Sequence, residues 1–268
     1  MEYSYQKEIE EAIKNFCLMD DEYMTAFFED NIECTELVLK IILNIDLKVK
    51  SVKTQYGIKN LQGRSIRLDI YAESADGKKF NIEIQRQDKG AGVKRARYNS
   101  SILDANLILP GENFDDLPET YIIFITENDV LKLNEPIYFI ERSIIGKNKL
   151  FNDGTHIVYV NNSIRDDTPL GKFMHDFICK EPDEMNYEIL AERSKGFKYM
   201  EEGEPKMSKV MDDFRKKVTE RVTKEVIKKE HQKMAIKLVK KKFSLEDIAE
   251  ITELPLEEVK MIATENFA

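Results

Sequence analysis

The chain has 268 residues, 42% of them hydrophobic and 34% charged, with a formal net charge of −9. That is enough apolar material for one large domain, or one domain with a smaller appendage, while no apolar run approaches the ~18–20 residues of a membrane span, so no membrane partner is expected. The acidic balance argues against a surface that coats nucleic acid throughout, Cys17, Cys34 and Cys179 with no C-x-x-C argue against a zinc or disulfide framework, and the polar, acidic first residues are unlike a signal peptide, so a cytoplasmic location is expected.

In chain order, residues 8–44 read as helical, with Ile9, Ile13, Phe16 and Cys17 at helical spacing. Residues 48–58 read as a first strand. Residues 65–87 read as a β-hairpin: Ile66, Leu68 and Ile70 alternate with Arg67, Asp69 and Tyr71, Ala75-Asp76-Gly77 supplies the turn, and Phe80, Ile82 and Ile84 alternate with Asn81, Glu83 and Gln85. Side chains two apart on a strand share a face. Glu83 and Gln85 therefore lie together, and pairing of the two strands brings Asp69 beside them. Two carboxylates and an amide are hard oxygen ligands suited to Mg²⁺ or Mn²⁺. The alternative reading of the same pattern is a solvated polar hairpin face.

Gly90 and Gly92 flank a turn, and residues 93–107 read as a helix. Lys94, Arg97, Tyr98 and Ser101 recur three or four apart and form one polar face. Beside a metal site these cations suit phosphate, and Tyr98 suits stacking or hydrogen bonding; surface ion pairing is the competing account. YIIFIT, residues 121–126, reads as a strand buried on both faces, and residues 137–141 and 155–161 as further strands. A helix leading into YIIFIT implies a crossover and a mixed α/β sheet.

From Pro169 the chain turns helical. Gly203 and Pro205 mark a boundary between a domain at 1–202 and an extension at 203–268. Residues 206–242 hold 14 Lys or Arg against 5 Asp or Glu, on a helix with an apolar stripe through Met207, Met211, Phe214, Val218, Val222 and Val226. Ser244 with Asp247 caps a short helix and Pro255 starts the last one. Glu257 and Glu258 stand where a DNA-reading helix needs donors, so the tail reads as a protein-interaction or self-association element, possible ground for a homo-oligomer.

Asp69-Ile70, then Asn81-Ile82-Glu83-Ile84-Gln85, then Arg95-Ala96-Arg97-Tyr98-Asn99-Ser100 resemble the PD-(D/E)XK nuclease superfamily, and more closely its Rpn-type recombination-promoting nucleases and transposases. The resemblance covers about the first two-thirds of the chain. It implies a restriction-endonuclease-like α/β core, a mixed β-sheet flanked by helices, carrying a helical C-terminal extension. It implies a metal-dependent endonuclease acting on DNA, with Asp69 and Glu83 as ligands of Mg²⁺ or Mn²⁺, Gln85 in the catalytic set, Glu36 from the preceding helix near the metal, and Lys94, Arg97 and Tyr98 on the nucleic acid. Gln85 stands where the wider superfamily has Lys and Leu68 where it has Pro, which removes a positive charge. A degenerate nuclease fold that binds nucleic acid or a protein partner is the alternative.

Overall fold

A computed structural model describes residues 2–60, 63–86, 90–199 and 209–267. The boundary expected at residue 203, and Met207 of the apolar stripe, lie outside them. The chain opens with helix α1 (Glu2–Lys14), continues into α2 (Asp21–Phe28) and α3 (Ile32–Leu43), and then enters strand β1 (Val49–Ile58). The single helical stretch expected over residues 8–44 is thus three helices. The Asn31 side chain caps α3 by accepting the Cys34 N–H at 3.0 Å, and Asn44 ends it in the left-handed conformation at φ 52°.

Strands β2 (Ile66–Ser74) and β3 (Lys79–Gln85) form the expected hairpin. Gly77, at φ +90°, makes the turn that an L side chain rarely adopts. Helix α4 (Val93–Ala105) crosses over to β4 (Thr120–Thr126), followed by β5 (Ile137–Ile140), a two-residue-per-strand hairpin of β6 (Ser143–Ile144) and β7 (Lys149–Leu150), and β8 (Thr155–Asn161). The main sheet has six strands in the order β1-β2-β3-β4-β8-β5. Pairs β1–β2, β2–β3 and β5–β8 are antiparallel, while β3–β4 and β4–β8 are parallel, as the crossover through α4 requires.

Ile122 and Phe124 of β4 and Tyr159 of β8 pack with Ala96, Ile102 and Leu103 of α4 into one core cluster. Phe27 and Phe28 are fully buried, and Phe27 stacks on Phe197 at 6.0 Å between ring centroids. Helix α5 (Pro169–Ile178) is capped by Thr168, and α6 (Glu188–Lys198) carries Phe197.

By internal packing, residues 16–211 form one unit, and residues 1–15 with 212–268 form the other. The second contains most of α7 (Lys209–Lys240), with α8 (Leu245–Thr252) and α9 (Leu256–Phe267). Phe214, Val218, Val222 and Val226 of α7 are buried as the stripe predicted. Ala235, Ile248, Leu254, Val259 and Ile262 make a small core joining α7, α8 and α9. Glu258 accepts hydrogen bonds from Gln232 at 2.7 Å and pairs with Lys228 at 3.1 Å, so this acid ties α9 to α7.

Candidate active site

Antiparallel β2 and β3 pair Tyr71 with Asn81 and Ile70 with Ile82. Continued one step, that register sets Asp69 across from Glu83. The ladder stops there. Instead of a strand partner, Oδ2 of Asp69 accepts the backbone N–H of Ile84 at 3.0 Å, and also the side-chain amide of Gln85 at 3.4 Å. The splayed end of the hairpin therefore gathers Asp69, Glu83 and Gln85.

Glu83 has no exposed surface. Its Oε1 accepts from the amide nitrogens of Asn81 at 3.1 Å and Asn99 at 3.5 Å, and its Oε2 from Nη2 of Arg95 at 2.7 Å. Burial pushes the Glu83 carboxyl well above the usual range, and the neighbouring Asp69 charge adds to that. Asp69 is raised as well, first by burial and then by the charge of Asp21, against the lowering effect of the Ile84 N–H. Arg95 opposes both shifts, standing within electrostatic reach of both acids.

Helix α4 begins at this site, and its first turn contains no acid and no side-chain cap. Lys94 and Arg95 there oppose the helix dipole, an arrangement that favours a bound anion. Arg64, Arg67, Lys94, Arg95 and Arg97 line a groove of about 1030 Å³ with Gly90, Gly92 and Tyr98 among its other walls. Among the described residues no Asp or Glu lines it. The net acidity of the chain thus conceals a basic groove beside the acid pair. Lys94 and Arg97 are exposed in it. The Tyr98 hydroxyl is committed to the fold: it donates to the Arg64 carbonyl at 2.5 Å and accepts from Asn60 at 3.4 Å, fastening the backbone at Arg64, just ahead of β2.

Glu36 does not join the site. It accepts the Val49 N–H at 2.8 Å and pairs with Lys48 at 3.3 Å, satisfying the start of edge strand β1. Val49 pairs with Ser74, five residues along β2 from Asp69, roughly 16 Å at strand rise. The helix that brings an acid near Asp69 is α2. Asp21, in its first turn, accepts from Gln55 Nε2 at 3.1 Å, and Gln55 is held at φ 51° in β1.

Arg95, Asn81 and Asn99 stand in the quoted motif and Arg67 in the hairpin, but the sequence assigns none of them, nor Arg64, a place in the site. Asn81 was legible, since it shares the strand face of Glu83 two residues on. Arg64 and Arg67 precede the motif in sequence, Arg64 just ahead of β2 and Arg67 within it, and both line the groove.

The donor set fits a hard divalent cation that keeps most of its waters, for which one or two carboxylates suffice. Asn81 Oδ1 is a buried oxygen with no hydrogen-bond partner beside Glu83. Among the described residues no group of three or more His, Cys, Asp or Glu gathers as a metal site.

A mixed sheet flanked by helices, splayed at an Asp on one strand and a Glu-x-Gln on the next, with a helix crossing behind, is a restriction-endonuclease-like core. Residues 38–166, just under half of the chain, match the family model described as PD-(D/E)XK nuclease family transposase, so this segment is similar to that family. The match takes in Asp69, Glu83, Gln85, Lys94, Arg97 and Tyr98 and leaves out Glu36 and the C-terminal helices. Neither the comparison with curated proteins nor the comparison with solved structures finds a match. No described helix is long and apolar enough to cross a membrane.

Proposed function

We propose that this protein is a metal-dependent DNA endonuclease of the transposase or recombination-promoting kind, hydrolysing phosphodiester bonds at the splayed end of β2 and β3. The observation that carries the reading is the juxtaposition of Asp69 and Glu83, both with raised pKa, linked through Arg95 to a groove lined by five cations. Perturbed acids in a cleft are a mark of functional sites.

Asp69 and Glu83 would hold Mg²⁺ or Mn²⁺. When bound, such an ion supplies an activated water and offsets the charge that gathers on phosphate. The residues of the chain do the rest. Arg64, Arg67, Lys94 and Arg97 hold the phosphate backbone against the groove. The Ile84 N–H and the Gln85 amide fix the Asp69 carboxylate, and the Asn81 and Asn99 amides fix that of Glu83. Gln85 reaches Asp69 as a neutral donor, so it orients and does not supply the charge of a Lys.

The test is relaxation of supercoiled plasmid with Mg²⁺ or Mn²⁺. Wild type is expected to nick, while Asp69→Asn and Glu83→Gln, folded by circular dichroism, are not. Cleavage that persists in both variants would move the chemistry elsewhere. A chain that binds duplex but never nicks it would instead support a non-catalytic nucleic-acid-binding module.

A further inference from the structure

Every oxygen of the buried Glu83 carboxylate is already taken: Oε1 by the amides of Asn81 and Asn99, Oε2 by the Arg95 guanidinium. Oε1 already holds two donors, so a cation that ligates Glu83 meets the like-charged guanidinium at Oε2 and competes with it there. The amides have nowhere to go, since Asn81 is 0% and Asn99 2% exposed. The Arg95 side chain is 40% exposed and lines the basic groove. Its second contact, from Nη1 to the Gly90 carbonyl at 2.9 Å, is on the same groove wall. Arg95 is the donor that has both room to move and another anion to meet.

Building on the nuclease reading above, we propose that Arg95 is an exchangeable counter-ion: it neutralises Glu83 in the metal-free protein, yields the carboxylate to an arriving divalent cation, and turns to the DNA phosphate in the groove. The exchange makes the two ligands cooperative. Without DNA, the ion competes with the guanidinium for Glu83. With DNA present, the phosphate gives Arg95 another partner, and the competition falls away. Because coupling between ligands is reciprocal, the ion also tightens DNA binding. Arg95 acts here as a positioning residue, through Glu83 and the phosphate.

The test is calorimetric titration of Mn²⁺ into wild type, Arg95→Gln and Arg95→Lys without DNA, followed by anisotropy of a short labelled phosphorothioate duplex with and without Mn²⁺. Arg95→Gln is expected to bind Mn²⁺ on the order of tenfold more tightly than wild type and to lose the Mn²⁺ enhancement of duplex binding, with Arg95→Lys between the two. Mn²⁺ affinity that stays level or falls in folded Arg95→Gln would overturn the exchange, because a merely structural Arg95 predicts that result. Should Arg95→Gln not fold, the side-chain nitrogen resonances of Arg95 in wild type decide. They are expected to shift as Mg²⁺ is added, and resonances that stay fixed while Mg²⁺ binds would overturn the exchange alone. Absence of ion binding by wild type would overturn the exchange and the nuclease reading together.

Discussion

Gly90 lies so close over Gln85 that a Cβ on it would stand 1.8 Å from Gln85 Oε1 and 2.8 Å from Arg95 Nη1. Both atoms are the far ends of flexible side chains, so the chain relieves the clash by moving them. Gly90→Ala is therefore expected to cost little stability, about 0.5 kcal/mol or less. It should still push Gln85 off Asp69 and Arg95 off the Gly90 carbonyl. The expected result is a melting temperature near wild type with cleavage reduced at least tenfold. A fully active Gly90→Ala would show that neither contact matters for the chemistry.

The acid pair sets a second expectation. Burial raises both carboxyls, so between the ordinary carboxylate range near pH ~4 and neutrality the folded chain holds more protons than the unfolded chain. Stability then falls as pH rises through that window. Asp69→Asn removes one charge while keeping an acceptor for the Ile84 N–H. It should raise the melting temperature at pH 8, by about 2–4 °C for each kcal/mol relieved, and change it little at pH 4. Mg²⁺ should stabilise wild type at pH 8 and leave Asp69→Asn unmoved. Scanning calorimetry at the two pH values, with and without Mg²⁺, checks both signs. A lower melting temperature for Asp69→Asn at pH 8 would mean that the pair is not strained.

The hairpin and its acids were legible because period-two alternation fixes both strand and face: once Ile70 and Ile82 point to the core, Asp69 and Glu83 have only the other side. YIIFIT was legible by the contrasting signal, an apolar run without alternation, which marks a strand buried on both faces, and Ile122 to Thr126 are all buried. Glu36 was not placed, because helical spacing says nothing about which end of a sheet a helix contacts. It sits at the Ser74 end of β2, whereas α2, eight residues long, carries the nearer acid. Arg95 was hidden for a related reason. It lies between Lys94 and Arg97 in an evident basic run, and only the crossing of α4 behind β3 distinguishes its contact with Glu83 from solvent-facing neighbours.

That correction yields a third prediction. Glu36→Gln keeps the acceptor for the Val49 N–H and loses only the pair with a Lys48 side chain that is 83% exposed. Exposed pairs of this kind contribute roughly 0–1 kcal/mol. Cleavage and Mn²⁺ affinity should match wild type, whereas Glu83→Gln is expected to abolish both. A Glu36→Gln variant that folds and fails to cut would return this residue to the site.

The last prediction separates the groove from the remainder of an acidic surface. Each cation that meets a phosphate releases about one counter-ion, so removing it should lower the slope of log affinity against log salt by about 0.9 for duplex DNA. Arg64→Ala, Arg67→Ala, Lys94→Ala and Arg97→Ala are each expected to do this, since all four side chains line the groove and are exposed. Lys229 and Lys240, in the basic stretch of α7, provide the comparison: alanine there should leave the slope unchanged if the catalytic unit alone holds DNA. Tyr98→Phe tests the support of the groove. Its hydroxyl fastens the Arg64 carbonyl, so its loss should cost about 1 kcal/mol of stability and weaken duplex binding without changing the slope by a whole contact. Anisotropy of one labelled duplex across a salt series measures all eight proteins, wild type included. Slopes that fall for the α7 lysines and not for the groove arginines would place the nucleic acid on the C-terminal helices.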